Sequence, residues 1–113
     1  MAIPKVRAIG HRGSWFADID GEALPCVHEY WTRRIDGKLM YVDPYCVPEE
    51  AKWAPFLAAL RDKKRAILTK DKPPSVNMIF EREGYIALFQ IDTVTVDDGT
   101  LRFAFVERLA DIL

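Results

Sequence analysis

His11, His28, Cys26 and Cys46 are the only histidines and cysteines in the 113-residue chain. Structural zinc needs four ligands converging at about 2.0–2.3 Å, usually drawn from close pairs such as CxxC. No such pair exists. Cys26 and His28 are two residues apart and share one face of an extended segment. A tight turn at Asp36-Gly37 sets Cys46 opposite Val27, on the other face. The residues therefore predict no metal and no cofactor, with the cysteines acting as small buried hydrophobes. A cysteine nucleophile gains reactivity at a helix N-terminus, and neither cysteine sits at a predicted one. Ser14 and Ser75, the only serines, lack a GxSxG context. No catalytic residue is assigned, and an enzyme built on His11 and Arg12, with Cys26 or His28, is the third-ranked expectation.

The segment Gly10-His11-Arg12-Gly13-Ser14-Trp15-Phe16 places an acid/base and an anion clamp between two glycines. Its plainer meaning is a tight connection with a solvated arginine, since loop glycines chiefly serve turns. The pairs Asp18/Asp20 and Asp97/Asp98 likewise abut glycine and predict turns rather than a cation site. Trp15, Phe16, Tyr30, Trp31, Tyr41, Tyr45 and Trp53 crowd the first half. Such residues, with an apolar body and a polar tip, suit stacking platforms, ligand cages or a well-packed core.

Charge is arranged in blocks beneath a net value of −1. Residues 1–17 carry three bases and no acid, and 18–50 three bases and eight acids. Residues 51–75 carry seven bases and two acids, and 76–113 three bases and seven acids. If the two positive blocks met in space beside the aromatic residues, they would form a phosphate-binding face with stacking groups. The simpler alternative is that Arg61, Lys63 and Lys64 only answer a helix dipole.

These residues must be positioned by a small set of elements. Alternation predicts strands at 3–9, 26–35 and 38–43, with a short additional strand at 15–19 outside that count. Asp20-Gly21, Asp36-Gly37 and Asp98-Gly99 are two-residue hairpin turns. The second of these pairs Ile35 with Lys38 and Arg33 with Met40, and puts Trp31, Ile35, Met40 and Val42 on one apolar face. Pro48-Glu49-Glu50 predicts a helix start, and Trp53, Phe56, Leu57 and Leu60 recur at helical spacing, with a kink or break at Pro55. Strands follow at 65–70, 76–82, 85–96 and 101–108, with a turn at Gly84 and a short helical turn at 109–113.

The order is β-β-β-α-β-β-β-β in a single domain spanning 1–113. The fold class expected is α+β: a mostly antiparallel, strongly curled six- to seven-stranded sheet, or half-open barrel, with one main kinked helix. No apolar run approaches the roughly 18–20 residues of a membrane span. Residues 1–7 lack a signal-peptide core, which predicts a cytosolic address.

The leading functional expectation is a binding module for a polyanion, RNA or single-stranded DNA, through the blocks 1–17 and 61–72. The expected ligand-binding residues are His11, Arg12, Trp15, Tyr30, Tyr41, Lys64, Arg65 and Lys70. The alternative is a protein-interaction or inhibitor module of immunity type, whose acidic blocks steer it to a basic partner.

Overall fold

A computed structural model describes residues 3–10, 15–76 and 79–113. Ten strands are β1 (Lys5–Val6), β2 (Ala8–Gly10), β3 (Phe16–Ile19), β4 (Glu22–His28), β5 (Thr32–Ile35), β6 (Lys38–Asp43), β7 (Arg65–Asp71), β8 (Arg82–Ile91), β9 (Thr95–Asp97) and β10 (Thr100–Ile112). One helix, α1 (Trp53–Lys63), lies between β6 and β7, and a 3-10 turn (Glu29–Trp31) separates β4 from β5.

Three hairpins form at the turns the sequence marks. Asp20, Asp36 and Asp98 have φ of 52, 52 and 50°, each followed by a glycine at positive φ. Two consecutive positive-φ residues define the turn whose twist matches paired strands, and only Asn, Asp or Gly enters it at low cost. The register at the second turn is the expected one, with Ile35 opposite Lys38 and Arg33 opposite Met40.

The α+β class holds, but the sheet differs from the one expected. Ten strands, not six or seven, form an open mixed sheet in the order β2-β3-β4-β7-β8-β10-β6-β5, with β1 and β9 also paired to β10. β4 and β7 are parallel, as are β1 and β10. The parallel β4–β7 pair arises because the β5–β6 hairpin and α1 both intervene, a crossover long enough to bring the chain back in the same direction. The extra strands come from splitting. The predicted strand 3–9 divides so that β1 lies on β10 and β2 on β3.

Sheet residues are buried on both faces. Cys26 and Ile67 join one core cluster with Leu24, Leu88 and Ile112, while their neighbours Val27 and Leu68 join another with the helix. Two-sided burial explains the near-continuous apolar runs, which strict alternation reads poorly.

Four further expectations are corrected. The helix starts at Trp53 rather than Pro48, and Pro55 sits in its first turn. There the missing N–H removes no intrahelical bond, so α1 runs unbroken past the proline. Gly84 is no turn; it lies inside β8 opposite Lys70. Residues 79–81, and 76 before them, belong to no strand. Residues 109–112 extend β10 instead of forming a helical turn, because they pair with β8 and β1.

The apolar face assigned to β6 is also inverted. Tyr41 and Asp43 are buried, whereas Ile35 is 42% exposed. The 3-10 turn breaks the supposed strand 26–35 and shifts its phase, which lets Trp31 go inward beside Tyr41.

Candidate functional site

α1 buries Trp53, Phe56, Leu57 and Leu60 along one stripe. That stripe follows the i, i+3, i+4, i+7 spacing of an amphipathic helix. The helix ends at Lys64, whose left-handed backbone lets its N–H return to the Leu60 carbonyl at 3.1 Å. Trp53 and Phe56, at the opposite end, meet Trp15 with ring centroids 5.0 Å away and nearly perpendicular planes. Beyond them opens a cleft of about 520 Å³. β4 contributes Cys26 and His28, the 3-10 turn Trp31, and β6 Tyr41 and Asp43. Tyr45 and Val47, together with Ile79 and Phe80, complete the wall.

His28 is a polar group of this cleft fixed by contacts on two sides. Its Nδ1 lies 2.9 Å from Asp71 Oδ2, and the Asp71 side chain is only 2% exposed. Thr69 Oγ1 donates to the same carboxylate oxygen at 2.9 Å. The imidazole also stacks on Phe80, centroids 4.1 Å apart and planes 12° from parallel. Ring and carboxylate are thus held from two directions, and the His28 orientation is set by packing as well as by the contact with Asp71.

The second polar group is Asp43. It is 6% exposed, and its Oδ1 accepts the Tyr45 N–H at 2.9 Å. Burial raises its carboxyl above the usual range, opposed by that amide and by the nearby His28. Burial likewise holds the Tyr41 phenol well above its usual range. The Cys26 thiol is pushed up to about 11, mainly by burial, with Arg82 pulling the other way. A thiol so held stays protonated near neutrality and is a poor nucleophile, although it shares the cleft with His28 as their spacing predicts.

The predicted site residues fall into separate places. His11 and Arg12 lie outside the described residues. Trp15 and Tyr41 line the cleft. The Tyr41 ring, however, is 1% exposed and stacked on Phe103, which leaves no face for a nucleobase. Tyr30 is 55% exposed and packs on Trp31 and Phe80 at the cleft margin. Arg65 and Lys63 both grip Glu22, at 2.7 and 3.0 Å, and their hydrogen bonds lower the Glu22 pKa. Lys64 borders a separate hollow of about 250 Å³ with Arg61 and Asp92. Lys70 is exposed on β7. Neither Lys64, Arg65 nor Lys70 lines the aromatic cleft. The positive N-terminal strand is also set apart, since Lys5 faces Asp111 on β10 and β8 lies between β10 and β7.

Sequence reasoning missed Asp43, Asp71 and Phe80. Two were legible in retrospect as charges ending apolar strands, the place where a side chain leaves the core for a cavity. Phe80 carried no signal, because its partner His28 is distant in the chain.

Among the described residues no group of three or more His, Cys, Asp or Glu is placed to hold a metal ion. No described helix is long and apolar enough to cross a membrane. Both cysteines are free. Compared with models of known protein families, with curated proteins and with solved structures, the chain matches none.

Proposed function

We propose that this chain is a binding module for a small organic molecule, held in the cleft between α1, β6 and the segment around Phe80. One observation carries the reading: an open cavity of about 520 Å³ walled by Trp15, Trp31, Tyr45, Trp53 and Phe80, with Asp43 and His28 as its oriented polar groups. Small-molecule sites commonly have roughly 300–1,000 Å³, mostly apolar walls and a few placed polar atoms. The broader expectation of a binding module is retained, while the ligand class moves away from a polyanion. Two of its basic candidates are weakened for that role: Arg65 is already answered by Glu22, and Lys64 borders a different hollow. Asp43 in the cleft would also repel phosphate.

All three tryptophans of the chain line the cleft, so indole fluorescence reports directly on occupancy. A panel of small neutral and charged aromatic compounds is expected to give saturable fluorescence changes. Backbone amide shifts should centre on Trp31, Tyr45 and Phe80. Shifts centred instead on Arg61 and Lys64, with salt-sensitive binding of a single-stranded oligonucleotide, would restore the polyanion reading.

The His28–Asp71 pair favours a second reading, that the bound molecule is also transformed. A carboxylate on Nδ1–H leaves Nε2 of the neutral ring as a proton acceptor, the arrangement of an oriented general base. It predicts turnover of a bound compound that stops in His28→Gln while binding persists. Binding without turnover across the panel removes it.

A further inference from the structure

Building on the small-molecule reading, we propose that the cleft selects an organic ammonium ion, whose charge meets the Asp43 carboxylate while its carbon substituents pack against Trp31 and Tyr45. The charges around the cleft point to this class. Glu50 and Lys52, at the rim, lie 3.7 Å apart and answer each other. Asp71 Oδ2 lies 2.9 Å from His28 Nδ1, and Asp71 itself does not line the cleft. Of the carboxylates lining the cleft, Asp43 forms no ion pair among the described residues, and its one hydrogen bond comes from the Tyr45 amide. A carboxylate 6% exposed with one donor is incompletely compensated for the water it has lost. A cation entering the cleft supplies the missing counter-charge, which an anion or a neutral molecule does not.

The walls suit the same ligand. Trp31 and Tyr45 have ring centroids 5.5 Å apart with planes at 47°, two sides of an open box. Aromatic faces carry a negative quadrupole, which attracts alkylated ammonium groups that shed water readily. Burial raises the Asp43 carboxyl above its usual range, in keeping with a site that lacks its counter-ion.

The test compares choline with 3,3-dimethylbutan-1-ol, a neutral molecule of nearly the same shape, by titration of the intact protein and indole fluorescence. Choline is expected to bind at least about tenfold more tightly than the neutral compound. Asp43→Asn should lose that preference, by about tenfold or more, because one charge-assisted contact is removed. Tyr45→Leu keeps an apolar side chain at a rim position already 55% exposed, and should weaken choline more than the neutral compound. This second variant keeps the test decisive should Asp43→Asn perturb the fold. Equal binding of the two compounds, or no effect of either variant, overturns the ammonium assignment and leaves a small-molecule cleft standing. Absence of choline binding overturns it as well. Failure of every neutral and charged aromatic probe to shift Trp31 and Tyr45 overturns the small-molecule reading beneath it.

Discussion

Removing a single oxygen atom, by Tyr41→Phe, tests whether Tyr41 belongs to the core or to a ligand surface. The phenol oxygen accepts the His28 backbone N–H at 3.3 Å. The ring is 1% exposed and stacks on Phe103 at 5.0 Å and 20°. Phenylalanine preserves that stacking and leaves almost no cavity. What it removes is the acceptor for a main-chain donor at the point where β4 enters the 3-10 turn. A buried donor left unpaired costs about 1–3 kcal/mol. A 3.3 Å bond lies at the long end of the amide range, which places the expectation at about 1–2 kcal/mol. For a domain of this size that lowers Tm by roughly 3–10 °C. Urea melts should show a lower midpoint with an unchanged slope, because the surface exposed on unfolding is the same. The His28 amide should exchange faster with solvent, while protons in the β7–β8 ladder keep their order of protection. Unchanged stability, with the His28 amide as protected as before, would falsify the reasoning. It would return Tyr41 to the set of candidate ligand platforms, which tolerate loss of a hydroxyl.

Asp43→Asn is expected to stabilise the fold at neutral pH, since asparagine can still accept the Tyr45 N–H without a buried charge. The Asp43 pKa lies above its usual 3.8 in the folded chain. Between those values the folded state binds more protons than the unfolded one, so the wild type loses stability as pH rises through that window. Thermal melts from acid to neutral pH should therefore show a gain for the variant that grows with pH; a constant or inverted difference refutes it. Cys26 and Cys46, each 4% exposed, should resist a thiol reagent in the native state at pH 7 and both react once urea unfolds the chain. Rapid native labelling of Cys26 would contradict its pKa of about 11. Leu60→Ala, at a position 0% exposed where α1 meets the sheet, should cost about 2.5–5 kcal/mol in chemical denaturation. A loss under about 1 kcal/mol would mean that the helix is not anchored there.

Local chemistry was legible wherever it is settled within a few residues. Asp-Gly at 20–21, 36–37 and 98–99 dictates three turns, because that dipeptide accepts two positive-φ positions in succession. The stripe Trp53, Phe56, Leu57 and Leu60 marks a helix because its period places those residues on one face. The same local reading placed a helix start at Pro48 and a turn at Gly84. It failed at both because tertiary pairing, not residue type, decides them: Gly84 is held in β8 by the ladder to Lys70.

The sequence alone determined that this is an α+β domain with three two-residue hairpins and one amphipathic helix, and that Cys26 and His28 share a wall. Tertiary structure decided everything that depends on distant partners. It set β4 parallel to β7, turned Tyr41 inward, tied Arg65 and Lys63 to Glu22, and brought Asp71 and Phe80 to His28. The reason is physical. Turn and helix preferences are summed over neighbouring residues, whereas a cleft depends on side chains 40 or more positions apart, His28 and Asp71 being 43 apart. The charge blocks, conspicuous in the linear chain, are partly consumed by ion pairs once folded. The group left without a counter-ion in the aromatic cleft is Asp43, which the linear reading placed only as the last residue of a strand.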